Sequence, residues 1–106
     1  MFTGKENHDI SFNDAGVMTK AYRTANPGQI LGGFFGKDAL MEMLNETDCV
    51  GIRYYYGLDG NGNKVMVLVG TDANENDLVD ETKGDVCKEM SIICPPHCGN
   101  NNILNS

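Results

Sequence analysis

The chain has 106 residues, with 8 Lys and Arg against 15 Asp and Glu, for a formal net charge of −7. That is one domain's worth of polypeptide, so a TIM barrel, a protein kinase or a Rossmann domain with a partner domain is excluded. Acidity on this scale argues against DNA, RNA or an anionic membrane as partner, and 41% hydrophobic residues argue against disorder throughout.

The first residues, Met1 to Asp9, are polar and carry no apolar signal-peptide core, so the expectation is a cytoplasmic chain unless its cysteines are disulfide-bonded. No apolar run approaches the length of a membrane span, so no membrane insertion is expected. Phosphate-loop, dinucleotide, zincin and serine-elbow motifs are missing. The run Gly32-Gly33-Phe34-Phe35-Gly36 lacks phosphate-loop spacing and the closing Lys-Ser/Thr.

A first helix is predicted from Ser11, whose hydroxyl can cap it, with Asp14 in the first turn. Val17, Met18, Ala21, Tyr22 and Ala25 recur at helical spacing, and Asn26-Pro27-Gly28 ends the helix. Ile30 to Phe35 reads as a buried turn or short strand. A second helix is expected from Lys37 or Asp38 to about Asn45, with Leu40, Met41 and Leu44, and secondarily Met43, as its apolar side. Cys49 to Tyr56 alternates as a strand, with Val50, Ile52, Tyr54 and Tyr56 on one side. Asp59-Gly60-Asn61-Gly62-Asn63 is a turn, and Lys64 to Gly70 is the returning strand of an antiparallel hairpin. Thr71 to Asp85 reads as a solvated acidic loop with a helical turn near Leu78-Val79. Val86 to Ile93 is expected to be a third strand, and Pro95-Pro96 stiffens an extended tail.

The predicted fold is therefore α+β: two N-terminal helices packed on a small antiparallel sheet whose hairpin spans about 49–70, with an extended cysteine-containing C-terminal tail. One domain over 1–106 is expected, with 1–10 and 99–106 mobile or ordered by a partner.

The returning strand is apolar on both faces, with Val65, Val67 and Val69 opposite Met66 and Leu68. A hairpin with one face in water should alternate. Cover by helices, by further strands or by a second copy would explain the pattern. A protein-interaction surface is expected at Tyr54, Tyr55, Tyr56, Met66 and Leu68, where tyrosine also serves as an ordinary strand residue at a core rim.

The cysteines support competing readings. Cys87, Cys94, His97 and Cys98 supply zinc-type ligands, but the Cys-x6-Cys-x2-His-Cys spacing departs from the usual knuckle. Disulfides among Cys49, Cys87, Cys94 and Cys98 require an oxidising compartment. A Cys94–Cys98 bridge would close a small stiff loop, and Cys49 could pair with Cys87. Redox exchange at Cys94 and Cys98 lacks the two-residue spacing and following helix of thioredoxin-type sites. A small hydrolase would need His97 or His8 beside a thiol or carboxylate, and adjacent His97 and Cys98 are poorly placed for that. Asp59, Asn61 and Asn63 have the first three spacings of a calcium loop, as do Asp72, Asn74 and Asn76. Both runs lack the glycine at six and the glutamate at twelve. No cofactor is expected, zinc being the alternative and calcium the reading that the spacing opposes.

Five segments carry a resemblance: Ile10-Ser11-Phe12-Asn13-Asp14-Ala15, Gly33-Phe34-Phe35-Gly36-Lys37-Asp38-Ala39-Leu40, Cys49-Val50-Gly51-Ile52-Arg53-Tyr54-Tyr55, Leu68-Val69-Gly70-Thr71-Asp72 and Cys94-Pro95-Pro96-His97-Cys98-Gly99. In these the chain resembles small bacterial proteins of the Bacteroidota type, a resemblance that spans nearly the whole sequence and implies no activity or ligand. The functional expectation is a non-enzymatic structural or interaction module whose partner is protein, including itself. The alternatives are a metal-binding or redox protein built on the cysteine region, and a small hydrolase.

Overall fold

The structure, a computed structural model, describes residues 1–89 and 92–105. It is an α+β protein with two α-helices and small antiparallel sheets, in the order α1 (Phe12–Ala25), β1 (Gly32–Phe34), α2 (Lys37–Leu44), β2 (Gly51–Leu58), β3 (Lys64–Thr71), a 3-10 turn (Glu81–Lys83), β4 (Cys87–Lys88) and β5 (Ile92–Cys94). The chain divides into two compact units, Met1–Glu6 with Phe35–Ser91, and Asn7–Phe34 with Ile92–Ser106.

The first unit is built around β3, which pairs antiparallel with β2 along its whole length, from Gly51 opposite Thr71 to Leu58 opposite Lys64. Its other edge is shared by two short pieces. Cys87 lies opposite Val69 and Lys88 opposite Leu68, while Asp77 bridges Thr71 and the Leu78 N–H donates to Gly70 O at 2.9 Å. The residues between these pieces loop outward and include the 3-10 turn, which lies at Glu81–Lys83 and not at the expected Leu78-Val79. The acidic stretch is thus anchored to the sheet at both ends, and Asp85 within it is buried.

The same turn brackets β3 at both ends. Asp59 Oδ1 accepts the backbone N–H groups of Asn61 and Asn63, at 2.8 and 2.9 Å. Asp72 Oδ1 accepts those of Asn74 and Asn76, both at 2.9 Å. Each Asp also exchanges a backbone bond with the last Asn, Asp59 N–H to Asn63 O and Asp72 N–H to Asn76 O. Aspartate mimics a backbone turn in this way. The fourth position is left-handed in both, φ +80° at Gly62 and +70° at Glu75. Glycine adopts that conformation freely, whereas a side chain costs about 1 kcal/mol or more. At Glu75 the surroundings hold the backbone in place: its carbonyl accepts from Arg53 at 3.2 Å.

Helix α2 packs on this hairpin. Met43, expected as a secondary member of the apolar side, is the one fully buried large side chain among the described residues, whereas Met41 and Leu44 are exposed. Just past the helix, the Glu46 carboxylate turns under the sheet, and its Oε2 accepts the Val86 N–H at 2.8 Å. A Cβ at Gly70 would stand 2.7 Å from Glu46 Oε1 and 3.1 Å from Cys49 Sγ, so glycine is required there.

The second unit is held differently. Ser11 Oγ caps α1 by accepting the Asp14 N–H at 3.0 Å, as expected. The expected apolar face does not become a core: Val17 and Met18 are exposed, and the buried position is Gly16. The tail folds into a knot of Asn turns, with Asn102 Oδ1 accepting the Leu104 N–H and Asn105 Oδ1 the Asn102 N–H, both at 2.8 Å. Arg23 donates to Leu104 O at 2.8 Å. Ile103 rests on Gly16, where a Cβ would meet the Ile103 carbonyl oxygen at 2.7 Å. The expected strand Val86 to Ile93 is two strands in two sheets. β4 joins β3, and β5 joins β1 with Cys94 opposite Gly32; Met90 and Ser91, in the middle of that stretch, lie outside the described residues. β1 is a short strand, as one of the two readings of Ile30 to Phe35 had it, but its three residues are exposed.

Replacing an interior helical glycine by alanine ordinarily stabilises a helix by about 1 kcal/mol. Gly16→Ala is expected to go the other way. The helix signal in circular dichroism should persist while the amides of Leu104 and Asn105 exchange faster, and unchanged protection would show that the tail does not depend on this contact.

Candidate interaction surface

The hairpin register decides which side chains share a face. Paired residues of an antiparallel ladder point the same way, so Tyr54 opposite Leu68 and Tyr56 opposite Met66 form one face. Tyr55 opposite Val67 and Arg53 opposite Val69 form the other. Helix α2 lies on the first face at its Leu68–Gly70 end. There Lys88, opposite Leu68, pairs with Glu42 of the helix, and Glu46 covers Gly70. An eight-residue helix is roughly 12 Å long, and an eight-residue strand is roughly 26 Å. The helix therefore covers about half of the face.

The uncovered half is aromatic and apolar. Tyr54 is 55% exposed, Tyr56 64%, Leu58 74% and Met66 37%, whereas Leu68 at 7% belongs to the core beneath α2. The Tyr54 and Tyr56 rings meet edge to face with centroids 5.7 Å apart, an arrangement that suits the ring quadrupoles. The Lys64 ammonium sits 4.2 Å from the Tyr56 ring centroid, within cation–π range.

The opposite face is polar where it reaches the rim. Asp77 accepts from Arg53 at 2.7 Å and from the Tyr55 hydroxyl at 2.5 Å, and the Phe2 ring lies 5.7 Å from the Arg53 guanidinium. Tyr55 is thus oriented away from Tyr54 and Tyr56, and the three expected tyrosines divide between two faces.

A depression of about 200 Å³ beside this network is lined by residues that include Asp48, Asp77, Asp80, Asp85 and Lys83. Three of its carboxylates already serve the backbone or Arg53. Asp85 accepts the Asp80 N–H at 3.0 Å, Asp80 accepts the Thr82 N–H at 3.0 Å, and Asp77 holds Arg53. Among the described residues, no group of three or more His, Cys, Asp or Glu is gathered so as to hold a metal ion.

Of the four cysteines, Cys94 and Cys98 are joined in a disulfide with Cα atoms 4.8 Å apart. Cys49 and Cys87 are free thiols, Cys87 exposed and Cys49 half-buried with its Sγ donating to Gly51 O at 3.2 Å. Two members of the zinc-type set, Cys94 and Cys98, are bonded to each other. The Cys49–Cys87 pairing, one of the alternatives the sequence left open, is not formed. His97 donates its backbone N–H to Ile93 O at 3.1 Å, closing the loop that the disulfide spans.

Asp59, first of the calcium-like residues, is held below the usual carboxylate range by the backbone N–H of Asn63 and then that of Asn61. Comparison with protein-family models, with curated proteins and with solved structures finds no match to this chain. The α2 half-cover, which the sequence reading missed, has a simple signal: a predicted helix only half as long as the strands it faces.

Two outcomes follow. A carboxylate with a depressed folded pKa contributes stability that is present above its unfolded value and lost as pH falls through the folded one. The Asn61 and Asn63 amide resonances should therefore hold steady down to the ordinary aspartate range and shift together only below it. Titration of thiols in the unfolded, unreduced chain should count the two of Cys49 and Cys87, and four after reduction; four before reduction would rule out the bridge.

Proposed function

We propose that the protein is a non-enzymatic interaction module that engages protein through the open half of its hairpin face. The supporting observation is the half-covered sheet: Tyr54, Tyr56, Leu58 and Met66 remain exposed beside a core that α2 closes only at the Leu68–Gly70 end. Tyrosine and methionine are enriched at protein interfaces, and tyrosine provides large contact area with little ordering cost. The −7 charge keeps the remaining surface soluble, while the patch itself carries one charge, Lys64, placed on a ring. No helix among the described residues is long and apolar enough to cross a membrane.

A second reading attaches to the tail. The Cys94–Cys98 disulfide closes a five-residue loop whose Cys98 end is exposed, and exposed disulfides are the ones open to thiol attack. That chemistry would act by ordering or releasing β5 and is compatible with the interaction module.

Sedimentation across the micromolar to millimolar range tests the main reading. The average mass should rise above 11.5 kDa with concentration. Tyr54→Ser combined with Tyr56→Ser should weaken association at least tenfold with the circular dichroism unchanged. A wild-type chain that stays monomeric throughout would overturn the reading.

A further inference from the structure

We infer that a second copy of the chain adds antiparallel along the outer edge of β2 about a two-fold axis at Tyr55, so that the open faces of the two copies join side by side. The inference rests on the interaction-module reading and specifies its partner and geometry.

β2 is the outer strand of the sheet, in the order β2-β3-β4. Among the described residues its outer edge has no strand partner. Such edges present a row of unpaired N–H and C=O groups, and proteins usually blunt them with proline, a bulge, a short strand or an inward charge. β2 has none of these. It runs eight residues without proline, its ladder with β3 is unbroken from Gly51 to Leu58, and its single charge, Arg53, is neutralised by Asp77.

The sequence of the strand is complementary to itself in this arrangement. A two-fold perpendicular to the sheet at Tyr55 pairs residues of equal parity, so each face continues into the same face of the partner. Tyr54 then lies opposite the second copy's residue 56, and four tyrosines join in one cluster of the edge-to-face kind already present between Tyr54 and Tyr56. Arg53 falls opposite the glycine at 57, which leaves room for it, and Ile52 falls opposite the leucine at 58. Like charges do not face each other. A two-fold at Arg53 would set one guanidinium against the other, and one at Tyr54 would set Gly51 against the second glycine, with no side chain to pack.

The side-chain contact comes from residues of β2 itself: Tyr54, Tyr55, Tyr56 and Leu58 are each about half exposed or more, and their flanks pack against those of the second copy. Backbone hydrogen bonds along the edge add direction to that contact.

Cysteine cross-linking of the full chain tests the geometry. In a Cys49→Ser, Cys87→Ser background, Tyr55→Cys places one thiol at the axis, and opposite residues of an antiparallel pair lie within disulfide reach. Under mild oxidation it should form covalent dimer at least tenfold faster than Val79→Cys, a more exposed site off the edge. Because Tyr55 also bonds Asp77, a second pair guards against a local fold defect: chains carrying Tyr54→Cys mixed with chains carrying Tyr56→Cys should link to each other faster than either links to itself. Association of the wild-type chain with no preference in either cross-linking experiment would overturn edge pairing and leave the interaction reading standing. A wild-type chain that never associates would overturn both.

Discussion

The larger unit depends on β3 being paired along both edges. Its partner on one side is a complete strand, β2, and on the other it is two fragments, 77–78 and β4, separated by a loop. A strand so placed satisfies its backbone groups internally and can be buried at its C-terminal end, where Leu68, Val69, Gly70 and Thr71 are all inaccessible. This explains a strand that is apolar on both faces without requiring it to be central in a large sheet. Met43 closes one face, and the Gly70 position admits the Glu46 carboxylate and the Cys49 thiol close to the backbone.

The same arrangement leaves a deficit. A chain of this size has little surface to bury, and the described core consists of Met43, Leu68 and Val69. The second unit buries no large apolar side chain among its described residues and is held by local devices: Asn turns, a glycine contact, a three-residue ladder and one disulfide. A two-stranded ladder is marginal on its own, so the covalent link beside Cys94 carries more weight here than it would in a well-packed domain. The unburied apolar area of the first unit is concentrated at the tyrosine end of the hairpin. Edge pairing of two copies would bring their tyrosine ends side by side as one continuous face.

Local signals were legible where they were self-contained. Ser11 caps α1 because its hydroxyl needs only the N–H three residues on, and Asp59 makes its turn with amides two and four residues away. The hairpin from Gly51 to Thr71 followed from alternation and turn chemistry, and its faces were readable as soon as the register was clear. What failed was anything that required a partner distant in sequence. The periodicity of α1 marked Val17 and Met18 as the buried stripe, yet Gly16 is the contact, because a glycine lets the Ile103 backbone approach more closely than a methyl group would allow. Val86 to Ile93 read as one strand because propensity does not reveal that its two ends pair in different sheets. Leu68 read as surface like Met66 because the two share a face, and only the length and position of α2 separate them.

By itself, the sequence determined the α+β class, the helix starts, the hairpin and the paired Asp-x-Asn-x-Asn turns, since each rests on interactions within a few residues or on side-chain period. Tertiary structure alone decided which half of the hairpin face is covered and which strand is left as an edge. Those outcomes depend on how far an element reaches and what lies beside it in space, and no local pattern encodes either.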